Sequence, residues 1–343
     1  MATLKEISEH TGFSPSTVSI VLGGNADPRK IPKQTQEIIL NAARELQYTP
    51  NIAARRLRNQ DYHNKLQIVL FWTDDFRASM MVRFLRGMKS EIMNGAKAYE
   101  IIIHPYKSNY LHEAATNKAL SMFNAAVICN ASTRDMEFLE DSSFHIPIVL
   151  YNRRSEKYCT VNVDNSKIGT IPAEVFISHG HKNAAIITSD PVFPEMGLRV
   201  ESFLKTAQAG GITVVKVLKK DNSMRGGFMG GMELCKMKNL PSCLFCASDA
   251  LALGALRAFA KCKIQIPEDI EIISVGNGDP EMEEYSQTSL SVVQLPMEEM
   301  ARLCLSQVID ILNGQVKLPY SIDLPIVYKA RESCGEYILH DTK

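Results

Sequence analysis

The sequence predicts an all-α helix-turn-helix headpiece at the amino terminus, followed by an α/β domain of two lobes. Residues 3–57 form a pattern of short helices that ends in a basic segment, and from Leu66 onward short apolar runs alternate with amphipathic stretches. The 343 residues exceed one typical domain, and a hydrophobic content of 45% can bury a sizeable core.

The first predicted helix begins at a capping box. Thr3 and Glu6 stand three residues apart, so each side chain can satisfy the other's free backbone N–H group. Leu4 and Ile7 continue at helical spacing until Gly12, which can turn the chain at positive φ without steric penalty. The pattern predicts a short helix that ends at a glycine turn.

The second predicted helix starts with Ser14 as its N-cap and Pro15 at its first position. Its buried stripe comprises Val18, Val21 and Leu22. Two short helices joined around a glycine are the geometry that places the second helix in a DNA major groove. Many helical bundles contain such a pair, so the residues that follow must decide.

A third helix with one apolar face can close a small core with the first two, and its apolar residues are Ile38, Ile39, Ala42, Ala43 and Leu46. A basic hinge segment follows, in which Pro50 can open another helix. The hinge arginines have no acidic residue nearby, which suits phosphate contacts: Arg55, Arg56 and Arg58. A solvated helix face would explain these arginines if they stood alone.

The net charge changes sign near the end of the predicted DNA-binding part. Residues 1–60 hold 8 Lys and Arg against 5 Asp and Glu, a net charge of +3, and the remaining residues hold 30 against 33, a net charge of −3. The zero net charge of the whole chain hides this division. The basic part coincides with the predicted DNA-binding part.

Eight buried strands are predicted after the headpiece, at residues 66–72, 100–103, 125–129, 146–151, 183–188, 214–217, 243–246 and 270–275. Helix-like segments alternate with them, among them residues 81–97, 167–179, 198–209, 227–237 and 250–260. Such alternation indicates parallel sheets, and two sheets in sequence would form two lobes around a cleft. Ligands of such folds bind at the carboxyl ends of the strands.

The compartment is predicted from what the sequence lacks. It contains no run of about 18 apolar residues, the length that a membrane helix needs, and no signal-peptide pattern at the amino terminus. Its eight cysteines lie scattered in apolar strings rather than at the spacings of a disulfide framework. We therefore expect a cytoplasmic protein without a membrane segment.

Two motifs together resemble the DNA-binding headpiece of the lactose-repressor/galactose-repressor family of bacterial transcriptional regulators: Thr17-Val18-Ser19, and then Tyr48, Pro50, Asn51, Ala54 and Leu57 at fixed spacing. The resemblance implies that the second helix reads the major groove and that Leu57 of a paired hinge helix wedges between base pairs in the minor groove. Ile20 stands where family members commonly carry Arg. The implied DNA-contacting residues are Thr3, Ser14, Pro15, Ser16, Thr17, Ser19, Ile20, Tyr48, Asn51, Ala54, Arg55, Leu57 and Arg58.

The resemblance extends to about residue 334. Residues 161–165 match the family's segment that crosses into the second lobe, and further blocks match at residues 180–186, 246–254, 266–270 and 329–333. It implies an effector domain like the periplasmic sugar-binding proteins. The expected boundaries are a headpiece at 1–58 with its hinge helix at about 50–58, a linker at 59–65, a two-lobed effector and dimerisation domain at 66–334 and a tail at 335–343.

Six residues are candidates for contact with the effector: Trp72, Asn152, Arg199, Ser248, Asp249 and Asn277. Arg199 falls where the family places an Arg that grips hydroxyls or a carboxylate, although a lone Arg is otherwise a surface residue. Asn152 stands where many relatives carry Asp, and its amide can both donate and accept. Trp72 can stack on a sugar ring, and a Trp packed at the domain edge is the alternative.

Two positions depart from the family's pattern. Ser248 stands where the family usually has Asn before Asp249, so the side chain available for the first polar contact is shorter. Asn277 and Gly278 replace an aromatic residue and an Asp, which removes a common hydroxyl acceptor. No particular sugar is therefore predicted.

Three other motifs are interpreted as structural. Cys243 and Cys246 have the spacing of a redox motif, but residues three apart on a strand point to opposite faces. His179 and His181 lack a third metal ligand and are interpreted as a turn. The glycine pairs within residues 226–231 are not followed by the Gly-Lys-Ser/Thr of a phosphate loop. No metal, cofactor or catalytic constellation is predicted.

The leading interpretation is a homodimeric transcriptional regulator, most often a repressor in this family, that binds an inverted-repeat operator in double-stranded DNA. Its control by a small molecule between the lobes, expected to be a sugar or sugar derivative, requires a coupling free energy of ~1–3 kcal/mol. A plain sugar-binding protein would leave residues 1–60 unexplained, and an enzyme would lack a catalytic constellation. Control by a phosphorylated carrier protein, which some global members of the family use, stays open.

Overall fold

A computed structural model describes residues 4–22, 31–46, 66–75, 77, 80–94 and 99–335. The chain divides into two compact units, residues 1–64 and residues 65–343. Within the described residues, no helix is both long enough and apolar enough to cross a membrane.

The amino-terminal unit contains three short helices: α1 (Leu4–Thr11), α2 (Pro15–Leu22) and α3 (Lys33–Glu45). Gly12 has a φ of 73°, as the predicted glycine turn requires. The predicted N-cap of α2 is also present, because the hydroxyl of Ser14 accepts a hydrogen bond of 3.2 Å from the backbone N–H of Thr17. Local sequence signals therefore set the start of α2 and the turn before it.

One small core holds the three helices together, and its buried residues are Ile7, Val18, Val21, Ile39, Ala42 and Ala43. Leu22 and Leu46 pack against this core and are partly buried. The prediction was wrong for Ile38, whose exposed fraction is 44%. Ile38 and Ile39 are neighbours in α3, so they lie about 100° apart around the helix and only Ile39 faces the core.

The first lobe of the larger unit is a six-stranded parallel sheet. Its strands in chain order are β1 (Leu66–Thr73), β2 (Tyr99–Tyr106), β3 (Ala125–Ile128), β4 (Ile148–Tyr151), β5 (Cys159–Val163) and β11 (Tyr320–Leu324). Their order across the sheet is β11-β5-β4-β3-β1-β2. The helices of this part are α4 (Met81–Asn94), α5 (Leu111–Ala114), α6 (Asn117–Leu120), α7 (Thr133–Asp141) and α13 (Met297–Leu312).

The second lobe has a six-stranded sheet of the same plan. Its strands are β6 (Asn183–Thr188), β7 (Thr213–Lys219), β8 (Cys243–Cys246), β9 (Glu271–Gly276), β10 (Ser291–Gln294) and β12 (Val327–Lys329). Their order is β12-β10-β9-β8-β6-β7, and β12 alone pairs antiparallel, with β10. The helices are α8 (Asn165–Ser178), α9 (Pro194–Ala209), α10 (Met224–Leu234), α11 (Asp249–Cys262) and α12 (Pro280–Glu284).

The chain crosses between the lobes three times. It passes from β5 of the first sheet into α8, returns after β10 into α13, and crosses again between β11 and β12. The first crossing lies at residues 161–165, as the family resemblance implies. Three crossings keep the two sheets next to each other while leaving a cleft between them.

Both faces of each sheet are buried, and this explains the continuous apolar runs. In β1, Ile68 and Leu70 belong to one hydrophobic cluster, and Val69 and Phe71 belong to another. Alternate residues of a strand point to opposite faces, so a strand covered on both sides must be apolar throughout. The predicted parallel α/β architecture is confirmed.

Four strands were missed by the sequence analysis: β5, β10, β11 and β12. Each of these strands contains polar residues that interrupt an apolar run. In β5, Thr160 and Asn162 are buried and satisfy each other by a hydrogen bond of 2.8 Å. α7 and α13 were also missed. An apolar-run criterion does not detect such strands, since their burial depends on partners distant in sequence.

The Cys-x-x-Cys segment is part of the core, as predicted. Cys243 and Cys246 lie at the two ends of β8 and belong to different hydrophobic clusters. Burial raises the pKa of both thiols above its ordinary value. Their side chains therefore lie on opposite faces of the sheet and do not form a redox pair.

Candidate functional site

The second helix of the headpiece presents its predicted DNA-contacting residues away from the core. Ser14, Pro15 and Ser16 are exposed, whereas Thr17, Ser19 and Ile20 are partly buried, and the buried side of the helix is formed by Val18 and Val21. The exposed start of α2 leaves these side chains accessible to DNA. The other predicted DNA contacts lie outside the described residues: Thr3, Tyr48, Asn51, Ala54, Arg55, Leu57 and Arg58.

A narrow cavity lies between the two lobes, with a volume of about 50 Å³. Its wall contains three arginines, Arg77, Arg153 and Arg199, together with the polar residues Asn130, Asn152, Asn222 and Asn277 and the aromatic residues Tyr151 and Phe193. The lining residues follow the carboxyl ends of strands in both sheets, where folds of this class bind ligands. A cavity of this volume holds a few water molecules in the present arrangement of the lobes.

Arg199 reaches the cavity from the first half of α9. Only 5% of it is exposed, and its Nε and one Nη donate to Oδ1 of Asn165 at 3.0 and 2.8 Å. α9 lies close to α8 because Gly169 of α8 has no side chain: a Cβ there would stand 1.8 Å from the carbonyl oxygen of Arg199. This close packing places the guanidinium at the cavity wall.

Asn152 takes part in the same network. It follows β4 with a φ of 50°, a left-handed conformation that Asn tolerates better than most residues. Its Oδ1 accepts a hydrogen bond of 3.3 Å from the amide of Asn165, which in turn holds Arg199. Two of the six predicted effector-binding residues are thus joined through Asn165, which the sequence analysis did not predict.

Arg153 is a second buried guanidinium, and the sequence analysis missed it. Its Nε and Nη1 donate to the carbonyl oxygens of Ala131 and Asn152, both at 2.5 Å, and its Nη2 makes no hydrogen bond to the described residues. The guanidinium carbon lies 3.7 Å from the centre of the Phe193 ring, which is typical of a cation–π contact. A charged residue two positions after the end of a buried strand was the signal that could have identified it.

Arg77 differs from these two because a carboxylate neutralises it. Its Nε donates to Oδ1 of Asp75 at 3.0 Å, and its Nη2 pairs with Oδ2 of Asp75 at 2.5 Å. Nη1 donates to the carbonyl oxygen of Asn130 at 3.0 Å. Arg77 therefore adds little net positive charge to the cavity.

The cavity is electropositive because Arg153 and Arg199 have no such partner. Within the described part of the chain, neither forms an ion pair within 4 Å, although the nearby Glu195 attracts both. Burial lowers the pKa of each arginine to about 10, and for Arg153 repulsion by Arg77 adds to this effect. Both therefore remain charged at neutral pH, and the nearby Glu195 is not within ion-pair distance of either.

Asn277 and Asp249 lie together on the second lobe. With its amide nitrogen facing inward, Asn277 donates to Oδ1 of Asp249 at 3.0 Å. Burial raises the pKa of Asp249 to about 6, although its hydrogen bond from the backbone of Gly278 acts in the opposite direction. A Cβ at position 278 would stand 1.9 Å from Asp249 Oδ2, which explains a glycine there.

Three of the six candidates lie behind the wall of this cavity rather than on it: Trp72, Ser248 and Asp249. Trp72 is 2% exposed, packs edge-on against Phe84 and donates its indole N–H to the carbonyl oxygen of Arg77 at 3.1 Å. Ser248 caps α11 and donates to Oδ1 of Asn222 at 2.5 Å, so it supports a lining residue. Asp249 supports Asn277 in the same way.

His179 and His181 lie in the turn between α8 and β6, as predicted, but the view that they lack a third metal-binding group was wrong. The ligand atoms of both histidines and of Glu271, at the start of β9, lie within 4.8 Å of one another. No local pattern indicates this, because Glu271 is 92 residues away from His179.

Both parts of the chain match family models. Residues 3–51 match the model described as "Bacterial regulatory proteins, lacI family", and residues 173–334 match "Periplasmic binding protein-like domain". A solved structure, a LacI family transcription regulator from Clostridium acetobutylicum, is 37% identical with a TM-score of 0.73 and covers 77% of this chain and 99% of that one. The lac repressor dimer bound to operator and the anti-inducer ONPF is 18% identical with a TM-score of 0.70, covering 98% and 99%, which shows likeness of fold.

Curated relatives match over nearly the whole chain. The probable HTH-type transcriptional repressor ExuR of Bacillus subtilis is 27% identical over 318 residues, which are 91% of this chain and 92% of the relative. The HTH-type transcriptional repressor PurR of Proteus mirabilis is 25% identical over 318 residues, 90% of each chain. These relatives are named as repressors rather than as enzymes.

Proposed function

Because the chain belongs to the lacI family of bacterial regulatory proteins and is a DNA-binding transcriptional regulator controlled by an effector, we propose that its effector is a sugar derivative bearing a carboxylate or phosphate. The effector binds between the lobes of the larger unit. Repression is the regulatory outcome we propose, in keeping with the repressors among its relatives.

The observation that carries this proposal is the pair of buried, unneutralised guanidiniums, Arg153 and Arg199. Leaving two like charges in a small cavity without an anion is costly, and an anionic ligand removes that cost. The planar fork of Arg matches a carboxylate or phosphate by paired hydrogen bonds. Nη2 of Arg153, which has no hydrogen-bond partner among the residues that the structure describes, is the donor we assign first to the anion.

The remaining wall of the cavity suits the hydroxylated part of such a ligand. Asn130, Asn152, Asn222 and Asn277 supply amide groups, which can donate to or accept from hydroxyls. Phe193 supplies an apolar ring face, although Arg153 covers one side of it. A mixed wall of amides, one aromatic ring and two cations fits a sugar acid or sugar phosphate better than a neutral sugar.

The test is a thermal-shift measurement on the full-length protein with three matched probes: D-glucose, D-glucuronate and D-glucose 6-phosphate. We expect an increase in Tm with at least one anionic probe and little change with glucose, since a ligand stabilises the state that binds it. Stabilisation by glucose as large as that by both anions would contradict an anionic effector. Operator binding measured without any probe would still test the regulator function independently.

Two substitutions test whether Arg153 and Arg199 bind the anionic probe. Arg153→Met and Arg199→Met should each weaken binding of the active anion by about 2–5 kcal/mol, the usual cost of removing one member of a buried charged pair. Arg154→Met is the matched control, because Arg154 adjoins Arg153 in sequence but is half exposed and pairs with Asp323. Equal losses of affinity in all three variants would place the anion elsewhere.

We further propose the assembly that operator binding requires. Two chains form a homodimer on an inverted repeat, with the headpiece at residues 1–58, a hinge helix at about 50–58, a linker at 59–65, the effector domain at 66–334 and a tail at 335–343. Leu57 wedges into the minor groove in this arrangement. Leu57→Ala should then lower operator affinity without changing effector affinity, and unchanged operator affinity at matched salt would rule out the wedge.

A further inference from the structure

Four side chains with metal-binding atoms meet at one end of the second lobe. His179 caps the carboxyl end of α8, His181 lies in the turn before β6, Glu271 begins β9 and Cys334 lies in the turn after β12. They are at the amino ends of the strands, whereas the effector cavity is at the carboxyl ends. β9 has 6 residues, so at a rise of about 3.3 Å per residue the two sites lie on the order of 17 Å apart.

The donor atoms converge on a single carboxylate oxygen. Oε2 of Glu271 lies 2.8 Å from Nδ1 of His179, 2.9 Å from Nε2 of His181 and 3.1 Å from Sγ of Cys334. Sγ of Cys334 is also 4.0 Å from Nδ1 of His179. Ligand atoms at about 2.0–2.3 Å from a tetrahedral Zn²⁺ stand roughly 3.3–3.7 Å from one another. The ligand atoms of His179, His181 and Glu271 lie within 4.8 Å of one another, and Cys334 lies beside His179 and Glu271. To reach the tetrahedral spacing, the Glu271 carboxylate must move outward and the other side chains must close toward a shared centre.

The hydrogen bonds around His181 present its Nε2 as a ligand atom. Nδ1 lies 2.8 Å from Oγ of Ser242, and that hydroxyl donates its proton to the carbonyl oxygen of Asn183 at 3.2 Å. Nδ1 must then be the donor, and in the neutral ring Nε2 carries the lone pair. This Nε2 is buried and faces Oε2 of Glu271 at 2.9 Å. A histidine ligand is usually oriented by such a hydrogen bond through its other nitrogen.

The cluster is largely enclosed, and all four side chains are of types that bind Zn²⁺. The exposed fractions of the side chains are 8% for His179, 13% for His181 and 18% for Glu271, and Cys334 is 4% exposed. No lysine or arginine of the described residues forms an ion pair with Glu271. Imidazole, carboxylate and thiolate are the three ligand types that Zn²⁺ takes in proteins.

We propose that His179, His181, Glu271 and Cys334 form a Zn²⁺ site that fastens the carboxyl-terminal turn to the base of the second lobe. Four protein ligands leave no position open for a substrate, which is typical of a structural site. On binding, the Cys334 thiol becomes a thiolate and its proton passes to the solvent, and no electron is transferred. The ion joins segments that lie 63 and 92 residues apart in the chain.

The primary test uses Co²⁺ as a spectroscopic probe on the full-length protein, without a histidine tag and dialysed against a chelator. We expect one equivalent of Co²⁺ per chain, with the intense visible absorption of a tetrahedral site and a thiolate-to-cobalt charge-transfer band in the near ultraviolet. One equivalent of Zn²⁺ should abolish both. A weak octahedral spectrum, or a tetrahedral spectrum without the charge-transfer band, would overturn the four-ligand site.

Substitutions then assign the ligands. His181→Gln and Cys334→Ser should each lower Zn²⁺ affinity at least about 100-fold, and Ser242→Ala, which removes only the orienting hydroxyl, about 10–100-fold. His112→Gln and Cys262→Ser are the matched controls and should retain the affinity of the parent. Parent affinity in Cys334→Ser or His181→Gln would refute the assignment. Because the cobalt spectrum is recorded on the parent protein, a variant that fails to fold does not remove the test.

Discussion

Glu283 is a carboxyl group held inside the second lobe with no hydrogen-bond partner for either oxygen among the described residues. It is fully buried, and the nearest cation in ion-pair range, Nη1 of Arg331, is 3.6 Å away. Burial raises its pKa to about 7, and repulsion by Asp249 adds to the increase, whereas Arg331, Arg83 and Lys329 lower it. The group therefore binds a proton in the folded state at a pH where the unfolded chain has lost it.

This shift predicts how stability depends on pH. Between pH values of about 4.5 and 7 the folded state holds more protons than the unfolded state, so Glu283 makes the protein less stable as the pH rises. Glu283→Gln should remove this dependence. The free energy of unfolding of the variant relative to the parent should increase by about 3 kcal/mol from pH 4.5 to pH 8, since each pKa unit corresponds to about 1.4 kcal/mol.

The measurement is urea unfolding of parent and variant across that pH range. Glu284→Gln is the matched control, because the neighbouring Glu284 is 56% exposed and should show no such trend. A difference between Glu283→Gln and the parent that stays constant with pH would mean that Glu283 ionises at an ordinary pKa.

Ile20 is the residue of α2 for which we predict a change in base preference. It is partly buried, on a helix whose opposite side packs into the headpiece core. An Ile can make only apolar contact with a base, for example with a thymine methyl, whereas Arg is the usual bidentate reader of guanine. Ile20→Arg should shift preference toward guanine at one position of each half-site by ~1–3 kcal/mol. Selection from a randomised operator library checks this, and identical consensus sites for parent and variant would show that Ile20 does not face the bases.

At the scale of elements, the close packing of α10 against α11 depends on glycines. A Cβ on Gly254 of α11 would stand 2.0 Å from the carbonyl oxygen of Met224 and 2.5 Å from the backbone nitrogen of Phe228. A Cβ on Gly227 of α10 would stand 2.0 Å from the carbonyl oxygen of Leu251. Gly227, which the sequence analysis considered only in a failed phosphate loop, and Gly254 let the two backbones touch.

Gly254→Ala should therefore destabilise the protein, by about 1–3 kcal/mol if the helices can separate slightly. Gly197→Ala is the matched control, because Gly197 also lies within a helix but its Cβ would meet nothing within 4 Å. That control should be neutral or stabilising by up to about 1 kcal/mol, since Ala has the higher helix propensity. Thermal unfolding distinguishes them, and equal midpoints would show that the α10–α11 contact relaxes without cost.

Most elements of the larger unit could be predicted because a buried parallel strand leaves a continuous apolar run. β6 and β8 match their predicted ranges, and the predicted strands at residues 66–72 and 270–275 agree with β1 and β9 to within one residue. β5 and β11 could not be recognised in this way. Tyr320 and Ser321 of β11 are exposed even within the sheet, since an edge strand is covered on fewer sides.

At the scale of the whole molecule, the lobes are tied at several points besides the three crossings. Arg83 of α4 pairs with both carboxylate oxygens of Glu298 at 2.7 Å, and its Nη1 donates to the carbonyl oxygen of Gly278 in the second lobe at 3.0 Å. A ligand that moves the lobes apart must alter the hydrogen bond from Arg83 to Gly278. The ion pair between Arg83 and Glu298 lies within one lobe and can persist.

We predict a dimer rather than a tetramer in solution. Tetramers of this family use a carboxyl-terminal helix of leucine heptads, and residues 332–343 lack the heptad pattern of a coiled coil. Light scattering on the full chain should give the mass of two chains. A stable tetramer that persists after removal of residues 336–343 would contradict this prediction.

The sequence by itself determined what depends on neighbouring residues: the glycine turn at Gly12, the N-cap at Ser14, the buried strands and the family to which the chain belongs. These features follow from backbone conformation and from the burial of each segment, both of which a few consecutive residues encode. It also identified Arg199 and Asn152, which lie on the cavity wall.

Only the tertiary structure decided which distant side chains meet. Arg153 and Arg199 share one cavity because the strand ends of the two lobes meet there. Trp72 lies outside the cavity wall, where its ring packs against Phe84. Glu271 and Cys334 reach the histidine turn across 92 and 155 residues of chain. Contacts of such separation depend on sheet order and helix packing, which no local pattern encodes.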